Sequence, residues 1–114
     1  MTRRRVRFTA TAREHVRLCH QWWLENSPRP EILYHDLREA IRMVSALPGI
    51  GSAYLMAPVA GVRRLYLERL MSHLYYSYDD SEVVVRALWH ARRGSGPDLA
   101  SSYDKARLKG PQTD

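Results

Sequence analysis

Cysteine is nearly absent from this chain of 114 residues, where Cys19 stands alone. One thiol makes no internal disulfide, so the fold needs no oxidising compartment. Cys19 lies in an amphipathic helical pattern without a matched Cys/His/Asn arrangement, and reads as a small buried hydrophobe. No apolar run approaches a membrane span, and the basic N-terminus leads into polar alternation rather than the apolar core of a secretory signal. The expectation is a soluble, cytoplasmic protein with no membrane partner. The histidines show no metal-ligand spacing such as His-Glu-x-x-His, and His15 and His20 do not align on one helical face. Neither a metal nor a cofactor is expected. Gly49-x-Gly51 lacks the setting and the Lys-Ser/Thr sequel of a phosphate loop, and reads as a sharp turn. Internal repeats and low-complexity segments are missing too. Acidic residues are in deficit, 12 Asp and Glu against 18 Lys and Arg, for a net charge of +6. A surface of that sign attracts nucleic acid, ribosomes or an acidic protein. It is equally the solvated surface of a protein that uses Arg in place of Lys.

The length allows one domain with one modest core. The alternation of Val6, Phe8 and Ala10 with Arg7 and Thr9 predicts a first strand. Thr11 precedes Glu14 at capping-box spacing, so a helix is expected over 12–25. Val16, Cys19 and Trp23 form its apolar stripe, widened by Leu18 and Trp22, with Arg13, Glu14, Arg17 and Gln21 opposite. Ser27 is the expected cap of a second helix, with Pro28 at its first position. Leu33, Leu37, Ile41, Val44 and Leu47 recur at helical spacing until Pro48-Gly49 ends the run. The short connection predicts an antiparallel helical hairpin. Strands are expected over 54–56, 62–68, 72–78 and 82–89, with Asp79-Asp80-Ser81 as a hairpin turn. The expected class is α+β, the helix pair covering one face of a twisted, mostly antiparallel sheet. Residues 1–94 form the domain; residues 95–114 are a polar tail with room for a short helix over 99–108.

The fragments VRFTATAREHV, LPGIG, AGVRRLYLER, HLYYSYDD and VVVRALWHARR, in this order, resemble the ParE branch of the RelE/ParE toxins over roughly residues 6–93. The resemblance implies the toxin of a type II toxin–antitoxin pair, neutralised by a cognate antitoxin. ParE-like members inhibit DNA gyrase by protein–protein contact; RelE-like members enter the ribosome and cut mRNA. It also implies contact with operator DNA only as a toxin–antitoxin complex, and leaves homodimer and heterotetramer open.

Strand alternation sorts the residues by face. Leu65 and Leu67, Leu74 and Tyr76, and Val85, Ala87 and Trp89 are the sets expected to meet the helices. Arg64, Tyr66, His73, Tyr75 and Arg86 then share the other face, with Arg92 and Arg93 at its rim. As a gyrase-inhibiting surface this set needs no catalytic residue. As a metal-free endoribonuclease, Arg64 and Arg93 would hold phosphate, His73 would move a proton, and Tyr66 or Tyr75 would stack a base. Beside RelE-like patterns, His73 stands where an arginine is usual and Tyr66 where a lysine is usual. A solvated sheet face of no function, or a relative that only binds its antitoxin, fits the same residues. Trp23 is expected in the core, and Trp22 is left as core or partner anchor.

Overall fold

The alternating Arg5–Phe8 segment forms β1, whose Val6 and Phe8 pack against the core. The computed structural model describes residues 3–93 and 96–99. β1 passes into α1 (Ala10–Asn26) without a loop, because Thr9 keeps an extended backbone and its hydroxyl accepts from the Ala12 N–H at 3.0 Å. Thr11, expected as the cap, lies inside the helix instead. Ser27 also takes a different post: it closes α1, its N–H donating to the Trp23 carbonyl, while its Oγ accepts from the Arg29 N–H. Pro30 pushes Arg29 out of helical geometry, so α2 (Glu31–Ala46) begins only after it. At the far end the Leu47 N–H donates to the Met43 carbonyl, and Pro48–Ile50 forms a single 3-10 turn.

Four further strands follow: β2 (Ser52–Ala53), β3 (Arg63–Leu67), β4 (Ser72–Tyr78) and β5 (Glu82–His90). The strand expected over 54–56 is displaced to Ser52–Ala53. Pairing ends where the Tyr54 N–H meets the Val62 carbonyl and the chain turns away, leaving Leu55 and Met56 in solvent. Asp79 closes the β4–β5 hairpin by accepting from the N–H groups of Ser81 and Glu82. The five strands lie in the order β1-β5-β4-β3-β2; β1 runs parallel to β5 and the other pairings are antiparallel. The first strand therefore docks beside the last, with the helical hairpin packed on one face as their crossover cover.

Between helices and sheet lie Ala12, Leu33, Leu37, Ala40, Val44, Leu67, Leu74, Tyr76, Val83, Val85 and Leu88. Ala40 joins the α2 stripe, whereas Leu47 at its end is exposed. The α1 stripe is narrower than expected: Val16, Cys19 and Trp23 reach the core, but Leu18 and Trp22 stay 48% and 57% exposed. Among the described residues no helix is long and apolar enough to cross a membrane.

Candidate target-binding face

A register shift decides how the outer face is built. Tyr75 pairs with Ala87 but Tyr76 pairs with Val85, so Arg86 is an extra residue on β5. Such a bulge reverses the alternation of the bulged strand relative to its partner. Val83 and Val85 point to the helices, but beyond the bulge it is Leu88 that does so. Ala87 and Trp89, expected beneath the helices with Val85, lie instead on the outer face with Tyr75. Arg86 reaches the same face, where its Nε donates to Ser77 Oγ at 2.9 Å.

The face is ordered in two cross-strand rows. In one, Tyr66 of β3, His73 of β4 and Trp89 of β5 are neighbours in register. The Tyr66 and His73 rings stand 5.1 Å apart, and Arg93 lays its guanidinium over Trp89 at 3.7 Å. In the other row, Arg64, Tyr75 and Ala87 are neighbours. Arg64 Nη1 donates to the Tyr75 hydroxyl at 3.4 Å, and its guanidinium also lies over the Tyr54 ring at 5.1 Å. Tyr54 in turn meets Tyr75 edge-on, with centroids 5.0 Å apart.

The second row is covered. Val62, Ala57, Val59 and Leu99 pack with Tyr54, Tyr75 and Ala87 into a second small core. Tyr75 is only 3% exposed and offers no face on which a base could stack. Of the helix expected over 99–108, all but Leu99 lies outside the described residues, and Leu99 itself is not helical. The first row remains open: Tyr66 is 49% exposed and His73 is partly exposed. Burial, and then the neighbouring Arg64 charge, lower the His73 pKa, so the imidazole is neutral at pH 7. Arg92 lies exposed in the turn after β5, its N–H donating to His90 Nδ1.

The structure therefore brings Tyr66, His73 and, through Trp89, Arg93 into one row, and engages Arg64 with the buried Tyr75 in the next. Three contributors lay outside the expected set: Tyr54, Trp89 and His15. His15 accepts from the Leu88 N–H at 3.3 Å, covering a β5 edge that β1 does not reach, and its ring meets Trp89 at 5.2 Å. No sequence signal announces these contacts, because they depend on the bulge and on where β1 stops. Among the described residues no cluster of three His, Cys, Asp or Glu is placed to hold a metal.

A chain of the structure described as the chromosomal ParDE TA system from P. aeruginosa superposes with a TM-score of 0.60, at 18% sequence identity, covering 76% of this chain and 95% of that one. The fold is RelE/ParE-like. No family model matches the chain, and no curated protein matches it. At that identity the likeness is one of fold, and individual side chains carry no information across.

Proposed function

We propose that this chain is the toxin of a type II toxin–antitoxin pair, a ParE-like inhibitor of DNA gyrase that acts by protein–protein contact and is neutralised by a cognate antitoxin. The observation that carries the reading is the fold likeness to a ParDE chain across nearly all of that chain's length. The net charge of +6 supports it, since a basic surface speeds encounter with acidic partners. The toxic surface would be the open row and its basic rim, Tyr66, His73, Arg92 and Arg93, with Arg86 on the same sheet face beyond the covered row, beside Ser77. Arg64 and Tyr75 would support it from the neighbouring row. The protein would act in the cytoplasm as a homodimer or within a heterotetramer, contacting operator DNA only together with its antitoxin.

One observation favours a second reading, a ribosome-dependent mRNA endoribonuclease. His73 is neutral, partly exposed and next to Arg64, as a general base beside a phosphate-binding cation would be. Against it, Arg64 is engaged by Tyr75 and Tyr54 and Arg93 by Trp89, so the three candidate groups are held by different partners. Induced expression without antitoxin, with supercoiling and total mRNA assayed in one culture, separates the readings. Lost supercoiling with intact mRNA is the expected result. Cleaved mRNA that becomes intact in His73→Ala, with normal supercoiling, would replace it by the endoribonuclease. Normal growth would leave an inert relative.

A further inference from the structure

The second row of the outer face is covered by two separate pieces of chain. The loop after β2 supplies one, with Ala57, Val59 and Val62 packed around Tyr54, Tyr75 and Ala87. This piece is tied into the sheet, because the Tyr54 N–H donates to the Val62 carbonyl and Val62 leads straight into β3. The other piece is a strap, residues 96–99, in neither helix nor strand. Leu99 anchors it, at 3% exposure. Its backbone passes close over the row: a Cβ on Gly96 would stand 3.2 Å from the Tyr54 hydroxyl.

The strap closes over recognition chemistry rather than plain core. Arg64 lies over the Tyr54 ring and donates to the Tyr75 hydroxyl. Tyrosine and arginine are the side chains that carry binding energy at protein interfaces. This set also continues the open row without a break. The His73 and Tyr75 rings stand 6.0 Å apart, and Arg64 and Tyr66 share one face of β3. The strap belongs to the small second core, apart from the core between helices and sheet. A segment anchored by one leucine in a satellite core can open locally at a small fraction of the cost of unfolding. Its exposed Asp98 sets a carboxylate beside the Leu99 anchor on a basic face. A partner that displaces the strap would offer the same pair, an acid beside an apolar side chain.

We propose that residues 96–99 form a removable strap over the second row, and that its release joins Arg64 and Tyr75 to Tyr66 and His73 as one surface for an acidic protein partner. The inference rests on the toxin reading for the partner's role: the strapped chain is the restrained form, and the target surface is twice as wide once the strap lifts.

Leu99→Glu in the full chain removes the anchor. Nitration by tetranitromethane, mapped by mass spectrometry, reads the cover. In the parent, exposed Tyr66 and Tyr78 should be modified, and Tyr75 and Tyr76 spared. In Leu99→Glu the Tyr75 reaction should rise about tenfold, the factor set by losing one buried leucine, while Tyr76 stays protected. Leu99→Met keeps an apolar cover and should match the parent. Leu99→Ser is the milder variant, and circular dichroism melts check that each chain is folded. Growth under a titrated inducer, at matched protein levels, reads the consequence: Leu99→Glu should arrest growth at about tenfold less protein. Tyr75 still spared in both polar variants, or Tyr75 and Tyr76 nitrated together in both, overturns the strap. Tyr75 opened in a variant no more toxic than a toxic parent overturns the proposal and leaves the toxin reading in place. No growth effect from any chain removes both. Arrest by Leu99→Glu where the parent is harmless supports both.

Discussion

At the scale of residues, Tyr76 does more than its apolar ring announces. It is fully buried, and its hydroxyl donates to the Pro48 carbonyl at 2.6 Å while accepting from the Gly51 N–H at 2.9 Å. One side chain of β4 thus pairs two backbone groups of the turn that follows α2. Burial raises the Tyr76 pKa, keeping the proton available for donation. Tyr76→Phe leaves both backbone groups unpaired in the interior, and should destabilise the fold by about 1–3 kcal/mol. Chemical denaturation reads this directly; a loss within error of zero would mean that water reaches the turn. Gly51 shows the same closeness from the other side, since a Cβ there would stand 2.7 Å from both the Arg64 carbonyl oxygen and the Tyr76 hydroxyl. In the sequence Tyr75-Tyr76 reads as one aromatic pair. In the fold the two point to opposite faces and join different cores.

At the scale of elements, β4 and β5 follow the sequence pattern, whereas the helix starts and the short strand expected over 54–56 depart from it. The strand over 72–78 and the start of the last strand at 82 appear where alternation and the Asp79 turn put them. Two threonines and a serine near the helix boundaries all have capping chemistry, and only backbone geometry chooses among them. Thr9 caps α1 with its hydroxyl on the Ala12 N–H; Thr11 sits within the first turn. Thr9→Ala should therefore cost about 1 kcal/mol, more than Thr11→Ala, which removes no cap. Equal losses in paired urea melts would show that the helix starts later than Ala10. The β5 bulge is the element-scale feature with the widest effect. It carries no glycine to announce it, yet it moves Ala87 and Trp89 to the face opposite to that of Val85.

At the scale of the whole molecule, stability is tied to pH through two histidines. His15 joins α1 to β5, and its Nδ1 must be unprotonated to accept from Leu88. Burial lowers its pKa, the Arg93 charge lowers it further, and Glu14 opposes only in part. The His73 pKa is lowered for the same leading reason. In the unfolded chain both titrate near 6.5, so between there and their folded values the unfolded state binds more protons. Stability is then full above about pH 6.5 and falls as the pH drops through the folded values. Melting temperature should decline from pH 7.5 to 5, before the carboxylates that folding holds ionised, such as Asp36 and Asp79, begin to protonate. His15→Gln should flatten part of that decline, because glutamine stays neutral across it. An unchanged slope in this variant would place the pH dependence elsewhere.

By itself the sequence determined the element order, the α+β class, the helix-facing stripe of α2, and the polar character of Arg64, Tyr66 and His73. These follow from local periodicity and turn chemistry, which act between neighbours in the chain. Four things were left to the tertiary structure. The parallel docking of β1 beside β5 joins residues more than seventy positions apart. The bulge moves Trp89, and the Tyr54 loop and Leu99 cover Tyr75. Finally, a groove beside Trp22 exists only because the hairpin turn of β3 and β4 stands across from α1. The reason is the same each time: a side chain's face is set by its own strand or helix, but its exposure is set by what distant segments lay over it.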